Sequence, residues 1–236
     1  MKRAVILAGG KGTRLLPLTE TIPKPLVPIG NIPILEIVLR QLKYFGFTDI
    51  TIAVNHLAYQ IIEAFGDGKK FDLRIKYSTE DAPLGTAGPL SLIDDLGDNF
   101  LVMNGDILTT MSFSDFYETH VKKKCDVTIA TYTKKLKIDL GVLEIDPLGQ
   151  FQKYVEKPTY SFQVSMGIYI MNQKILRELK RGEHLDLPDL ITRAHGRNLS
   201  ISAYTGDYFW LDIGRHEDYE RANEIFEEQK NAFLPE

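Results

Sequence analysis

The sequence predicts an α/β fold: a single domain, residues 1–236, built on a mixed, mainly parallel central sheet flanked by helices, with a small antiparallel region in its second half. Two observations carry the prediction. Short apolar runs alternate with segments whose apolar residues recur at helical spacing, the order that builds a parallel sheet with helices on both faces. Beyond Tyr132 the texture changes to brief strand-like runs separated by turns, as in antiparallel pairing. At 236 residues, with 44% hydrophobic and 25% charged, the chain can bury a substantial core.

Taken in order, Ala4 to Ala8 is a continuous apolar run ending at glycine, the pattern of a strand buried on both faces. A Gly/Pro-rich loop follows. From Ile34 the positions Leu35, Val38, Leu39, Leu42 and Phe45 mark a helix, with Asn31 near Pro33 as its start signal and Gly46 as its stop. Ile50 to Val54 reads as a strand, Ala58 to Phe65 as a short helix, and Leu73 to Tyr77 as a strand. After the loop STEDAPLGTAGPL the pattern predicts a helix reaching Leu96, then an apolar strand, NFLVMNGD, ending at Asp106. A helix from Ser112 to Lys124 leads into a strand from Asp126 to Tyr132. GVLEID, FQKYVEKP and VSMGIYIM are the strand-like runs of the antiparallel region. Helix, strand and helix return at the end, with Arg215 to Lys230 the last helix.

The composition excludes several functions. A formal charge of −4 gives no broad attraction for nucleic acid, although one local cationic pocket is compatible with it. Cys125 is the only cysteine, so neither an internal disulfide nor a cysteine metal cluster can form. The opening apolar run is too short for a signal-peptide core or a membrane span, and a cytoplasmic location is the default expectation. Histidines at 56, 120, 184, 195 and 216 form no zinc-binding spacing, and no serine sits in a nucleophile elbow.

Ligands of open α/β sheets bind beyond the carboxyl ends of the strands, which directs attention to AGGKGTR, NH, STED, NGD and WLDIG. The first is neither a dinucleotide fingerprint nor a Walker loop: the position where the fingerprint needs its third glycine is Leu15, and Gly12 is followed by Thr13 and Arg14. Glycines let backbone N–H groups approach a phosphate, and Arg14 adds a planar charged fork. A tight turn bearing a surface arginine is the alternative. Lys24, stiffened between Pro23 and Pro25, is either a fixed cation or a solvated loop lysine. Asp106 and Asp212 are hard carboxylate ligands suited to Mg²⁺, or an Asn-Gly-Asp turn and a structural ion pair respectively. Glu156 and Lys157 could serve one site only if the strand ends or bends there, which Pro158 favours.

LAGGKGTRLLPLTETIPKPLVPI, followed in order by PLGTAGPL, NGD, VEKP, GIYIM and WLDIG, resembles the sugar-1-phosphate nucleotidyltransferases over nearly the whole chain. The resemblance implies a Rossmann-like fold and transfer of a nucleotidyl group from an NTP to a sugar 1-phosphate, with release of pyrophosphate. It implies a mainly nucleotide-binding half, residues 1–125, and a mainly sugar-phosphate-binding half, residues 126–236. By motif, Leu7, Ala8, Gly9, Gly10, Gly12 and Thr13 would wrap the nucleotide. Arg14 and Lys24 would be catalytic, and Gly85, Thr86, Ala87 and Gly88 would contact the base. Asp106 and Asp212 would hold Mg²⁺, and Gly141, Glu156, Lys157 and Ser165 would lie on the sugar-phosphate side. PLGTAGPL most resembles the guanylyltransferases that act on mannose 1-phosphate or related sugars, because uridylyl and thymidylyl relatives often carry glutamine where Gly88 stands. Uridylyl or thymidylyl transfer to glucose or amino-sugar phosphates, and an NDP-sugar-binding regulatory subunit without turnover, are the alternative expectations. The expected partners are the two small substrates, with neither nucleic acid nor membrane. Self-association to a homo-oligomer is left open, since Phe209, Trp210 and the last helix suit a core or an interface equally.

Overall fold

The computed structural model describes residues 1–235. Its strands are β1 (Lys2–Leu7), β2 (Pro28–Ile29), β3 (Ile32–Pro33), β4 (Phe47–Val54), β5 (Arg74–Thr79), β6 (Asn99–Asn104), β7 (Ile107–Thr109), β8 (Val127–Lys137), β9 (Val142–Ile145), β10 (Phe151–Val155), β11 (Thr159–Asn172), β12 (Ile201–Thr205) and β13 (Trp210–Asp212). Its helices are α1 (Ile34–Tyr44), α2 (Ala58–Phe65), α3 (Phe113–Lys123), α4 (Leu187–Gly196), α5 (His216–Glu228) and α6 (Lys230–Phe233).

Seven strands form one sheet in the order β12-β8-β11-β6-β1-β4-β5. Only β11 runs against its neighbours, pairing antiparallel with both β6 and β8. The mixed, mainly parallel sheet is therefore present, and so are small antiparallel pairs, β9 with β10 and β7 with β13. β1 lies between β4 and β6, and the chain order reverses across it. That reversal opens a crevice at the carboxyl ends of the strands, where such sheets take their ligands.

Side-chain alternation along β1 explains why it is apolar throughout. Ala4 and Ile6 pack into the cluster containing Leu35, Leu39, Phe47 and Phe116, while Val5 enters the cluster of Phe100, Val102, Tyr169 and Leu190 on the opposite face. Each fully buried aliphatic side chain contributes roughly 1.5–3 kcal/mol from area removed from water. A third cluster gathers Leu15, Ile34, Leu108, Leu211, Ile213 and Phe226. It binds the Gly/Pro-rich loop to β7, β13 and α5, so distant segments of the sequence meet there.

Several boundaries differ from expectation for identifiable reasons. The expected helix before Leu96 is only a 3₁₀ turn, Gly88–Leu92, with Pro89 at its start and the Ser91 hydroxyl donating to Gly88 O at 2.7 Å; that local bond competes with helix propagation. α1 starts after Pro33 without a side-chain cap, so Asn31 does not cap it, while Gly46 turns the chain at φ 82° as expected. The last helix is interrupted at Gln229, separating α5 from α6. VSMGIYIM belongs to β11, a 14-residue strand that enters the main sheet and extends beyond it alongside β8. No helix among the described residues is long and apolar enough to cross a membrane.

Candidate active site

A cleft of about 340 Å³ opens at the crevice, and Leu7, Ala8, Gly9 and Gly10 from the end of β1 form part of its wall. The loop is glycine-rich for distinct local reasons. A Cβ on Gly9 would meet Asn55 and Glu80 at 3.2–3.3 Å, whereas one on Gly10 would meet nothing within 4 Å. Gly10 therefore leaves open backbone toward the cleft. Gly12 sits at φ 64°, and its Cα faces the side chains of Thr19 and Lys24. It supports Lys24 from behind and does not line the cleft, while Thr13 begins the 3₁₀ turn Thr13–Leu15 that carries Arg14.

The aspartates predicted as a pair are brought together. Asp106 follows β6, and β7 then pairs with β13 so that Asp212 lies opposite Ile107. The Ile213 N–H donates to Asp106 O at 3.1 Å. Lys24 is buried and forms an ion pair with Asp106 Oδ2, while Asp106 Oδ1 is buried without a hydrogen-bond partner. Burial, and after it the Asp106 charge, push the Asp212 carboxyl above its ordinary range; Lys24 and Arg14 pull it back part of the way. Two carboxylates and two cations thus form one charge cluster: Lys24 and Asp106 line the cleft, and Asp212 lies within reach of their charges and of Arg14. The donor set fits a divalent cation of the Mg²⁺ type, which takes one or two protein carboxylates and fills its remaining positions with water and phosphate oxygens. Among the described residues no third acid, histidine or cysteine joins the pair.

The loop after β5 divides its duties. Gly85 and Thr86 line the cleft. Ala87 and Gly88 face the opposite way: both are buried, both backbone N–H groups donate to Leu185 O, and a Cβ on Gly88 would meet Glu183 O at 2.4 Å. The glycine at 88 thus permits a close approach of two loops.

The sugar-side residues lie apart from the cleft wall. β10 ends at Val155, and Glu156 and Lys157 form a bend in which Lys157 has φ 45°. The strand end expected at Pro158 is therefore present. Glu156 accepts a hydrogen bond from the Tyr154 hydroxyl at 2.9 Å, and Gly141 lies against that same hydroxyl. Gly141, Glu156 and Lys157 are all exposed, on an arm made by the antiparallel pair β9 and β10 and its flanking residues. Ser165 Oγ bonds to the Tyr169 hydroxyl at 3.0 Å, at a bulge where Gly167 adopts φ 72° against Asn104.

Four further residues were not among the expected site residues. Glu80 lines the cleft, accepting from Asn55 Nδ2 at 2.9 Å and from the Leu84 N–H at 3.0 Å. Asp186 accepts from the Thr86 N–H at 2.9 Å and from its hydroxyl at 3.1 Å. The position of Glu80 within STED, just after β5, was the available signal for it; Asp186 is a hundred residues from its partner and gave none. Asn104 also lines the cleft, and Trp210 Nε1 donates to Met166 O at 3.0 Å beside it.

Comparison with known proteins gives the family. Residues 3–229 match the Nucleotidyl transferase family. The chain is 34% identical to UTP–glucose-1-phosphate uridylyltransferase of Synechocystis sp., over 99% of this chain and 66% of that protein. It is 33% identical to mannose-1-phosphate guanyltransferase of Schizosaccharomyces pombe, over 92% of this chain and 62% of that protein. It therefore spans less than two thirds of the length of these curated relatives. HddC from Yersinia pseudotuberculosis, solved in complex with GMP-PN, superposes with a TM-score of 0.71 at 27% identity, covering 96% of this chain and all of that one. With the family matched over residues 3–229 and relatives more than 30% identical over nearly its whole length, the chain belongs to the Nucleotidyl transferase family.

Proposed function

We propose that the protein transfers a nucleotidyl group from an NTP to a sugar 1-phosphate, releasing pyrophosphate. The observation that carries this reading is the charge cluster of Lys24, Arg14, Asp106 and Asp212, of which Lys24 and Asp106 line a cleft that also carries the open glycine backbone of Gly9 and Gly10. No protein nucleophile is needed, because the sugar-phosphate oxygen is already anionic. The chemical task is to align two anions in line and suppress their repulsion.

Asp106 and Asp212 would hold Mg²⁺, which neutralises triphosphate charge when bound. Arg14 offers its fork to the β and γ phosphates that leave as pyrophosphate. Lys24, fixed by Gly12 and Asp106, meets the phosphates where the new bond forms. Gly85 and Thr86 lie along the base, and Glu156 and Lys157 on the arm receive the sugar phosphate. Residues 1–125 thus serve mainly the nucleotide and residues 126–236 mainly the sugar phosphate.

We take the substrate pair to be GTP with a mannose-like sugar 1-phosphate. Both Glu80 oxygens already accept one bond, and each keeps a further lone pair. A carboxylate suits the two adjacent N–H donors on the edge of guanine; uracil and thymine present one donor between two acceptors, which face the charge unfavourably. Glu80→Gln should therefore shift the preference from GTP toward UTP or TTP by roughly 10–100-fold, the scale of one or two hydrogen bonds to a charged group. The GMP-PN complex of HddC and the guanyltransferase relative support the same base.

The test is pyrophosphate release in Mg²⁺ across a panel of NTPs and sugar 1-phosphates. Release with GTP and mannose 1-phosphate above all other pairs is expected. Faster release with UTP and glucose 1-phosphate would reassign base and sugar to the uridylyl reading.

A further inference from the structure

Arg14 is an exposed arginine whose charge reaches Asp212, and among the described residues no ion pair or hydrogen bond holds its guanidinium. A group that must meet a triphosphate accurately needs something else to locate it. Gly214 provides that surface. An ideal Cβ built on Gly214 would lie 3.3 Å from Arg14 Nη2 and 3.4 Å from both Cζ and Nη1, and no other group comes closer. Three guanidinium atoms at nearly one distance mean that the plane lies flat over the glycine. Its N–H edges are therefore left to point outward, free for a ligand.

The backbone just after Arg14 is gripped by the same segment. Leu15 is fully buried in the cluster with Leu211 and Ile213, and the Leu16 carbonyl accepts a hydrogen bond from His216 Nε2 at 2.7 Å. Gly214 itself is buried, with a φ outside the left-handed region, so an alanine there meets no backbone penalty. Outside the two adjoining residues, the nearest atoms an added methyl group would meet all belong to the arginine.

We propose that Gly214 is a positioning residue for nucleotide transfer: its bare Cα is the floor on which Arg14 lies, and the turn Asp212–His216 sets where the guanidinium meets the NTP phosphates. The inference rests on the reading of Arg14 as the phosphate-binding arginine. It also places both charge-bearing devices on one short segment, since Asp212 begins the turn that seats Arg14.

The experiment uses the full chain with Mg²⁺, GTP and mannose 1-phosphate, or whichever pair releases pyrophosphate fastest. It compares wild type, Gly214→Ala, Gly214→Val, Arg14→Ala and the double variant Arg14→Ala/Gly214→Ala. A shift of a few tenths of an ångström should raise the KM for NTP several-fold in Gly214→Ala. The bulkier Gly214→Val should lower kcat/KM by about 10²-fold, as expected for misplacement approaching 1 Å. The KM for sugar 1-phosphate and the Tm of Gly214→Ala should stay at wild-type values. In the Arg14→Ala background the added methyl should do nothing further. A Gly214→Ala enzyme with wild-type KM for NTP, or losses that multiply in the double variant, would overturn the proposal. Near-normal turnover in Arg14→Ala would instead remove the underlying role of Arg14, and the proposal with it.

Discussion

Lys24 and Arg14 are both cations acting on Asp212, yet the structure treats them differently. Lys24 is buried, backed by Gly12 and paired with Asp106, whereas Arg14 is exposed with its donors free. A cation whose donors are uncommitted has most to give to charge that develops on departing phosphates. Arg14→Ala should therefore lower turnover by roughly 10²–10³-fold, the loss seen when one preorganised electrostatic contact is removed; initial-rate measurement of pyrophosphate release checks this. At this scale much was legible in the sequence, because glycine, arginine, proline-flanked lysine and strand-end aspartate each carry a physical reason for their position. Gly88 shows the limit. Its glycine was read as part of a base contact, but its close approach is to Glu183 O, and no local pattern reveals a partner that distant.

Among the elements, the loop after β5 owes its shape to the segment before α4. Leu185 N donates to Leu84 O, Leu185 O accepts from Ala87 and Gly88, and Asp186 holds Thr86 by its backbone and hydroxyl. Thr86 Oγ1 in turn accepts from the Leu187 N–H at 2.8 Å. Removing the carboxylate frees the cleft wall without touching the phosphate end. Asp186→Ala should raise the KM for NTP about tenfold, consistent with the roughly 1.5–3 kcal/mol of a hydrogen bond to a charged group, and leave the KM for sugar 1-phosphate unchanged in steady-state kinetics. Strand and helix periodicity located α1, α2, α3 and the core strands, since apolar spacing is a local property. It failed for Gly88–Leu92, where Pro89 and Ser91 stop a helix that the apolar residues alone would allow. It also could not show that β11 inserts between β6 and β8, because pairing partners are chosen by tertiary packing.

For the whole molecule, the sheet is tied together at the end away from the cleft by a buried polar network around His120. Its Nδ1 lies 2.8 Å from Thr128 Oγ1 and its Nε2 3.2 Å from Asn99 Oδ1, which also accepts from Asn172 Nδ2 at 2.9 Å. α3, β6, β8 and β11 therefore share one histidine. Burial pushes His120 down from 6.5 to about 4. A folded value below the unfolded one means that the unfolded chain binds the extra proton between these limits, so its stabilising contribution is complete above pH 6.5 and is lost as pH falls toward 4. The loss amounts to about 3 kcal/mol for a shift of this size. Denaturant unfolding from pH 7 to 4 should show this decline, and a His120→Gln variant should show a correspondingly flatter one.

Pyrophosphate release in Mg²⁺, with wild type beside Asp106→Ala and Asp212→Ala, tests most directly whether these charges form a nucleotidyl-transfer site. The wild-type protein should release one pyrophosphate for each NDP-sugar formed, and each aspartate variant should lose at least about 10²-fold in turnover, as for loss of a preorganised charge contact. Tight NDP-sugar binding by a wild-type protein that releases no pyrophosphate from any NTP and sugar 1-phosphate pair would contradict the account and mark the chain as a binding subunit without turnover.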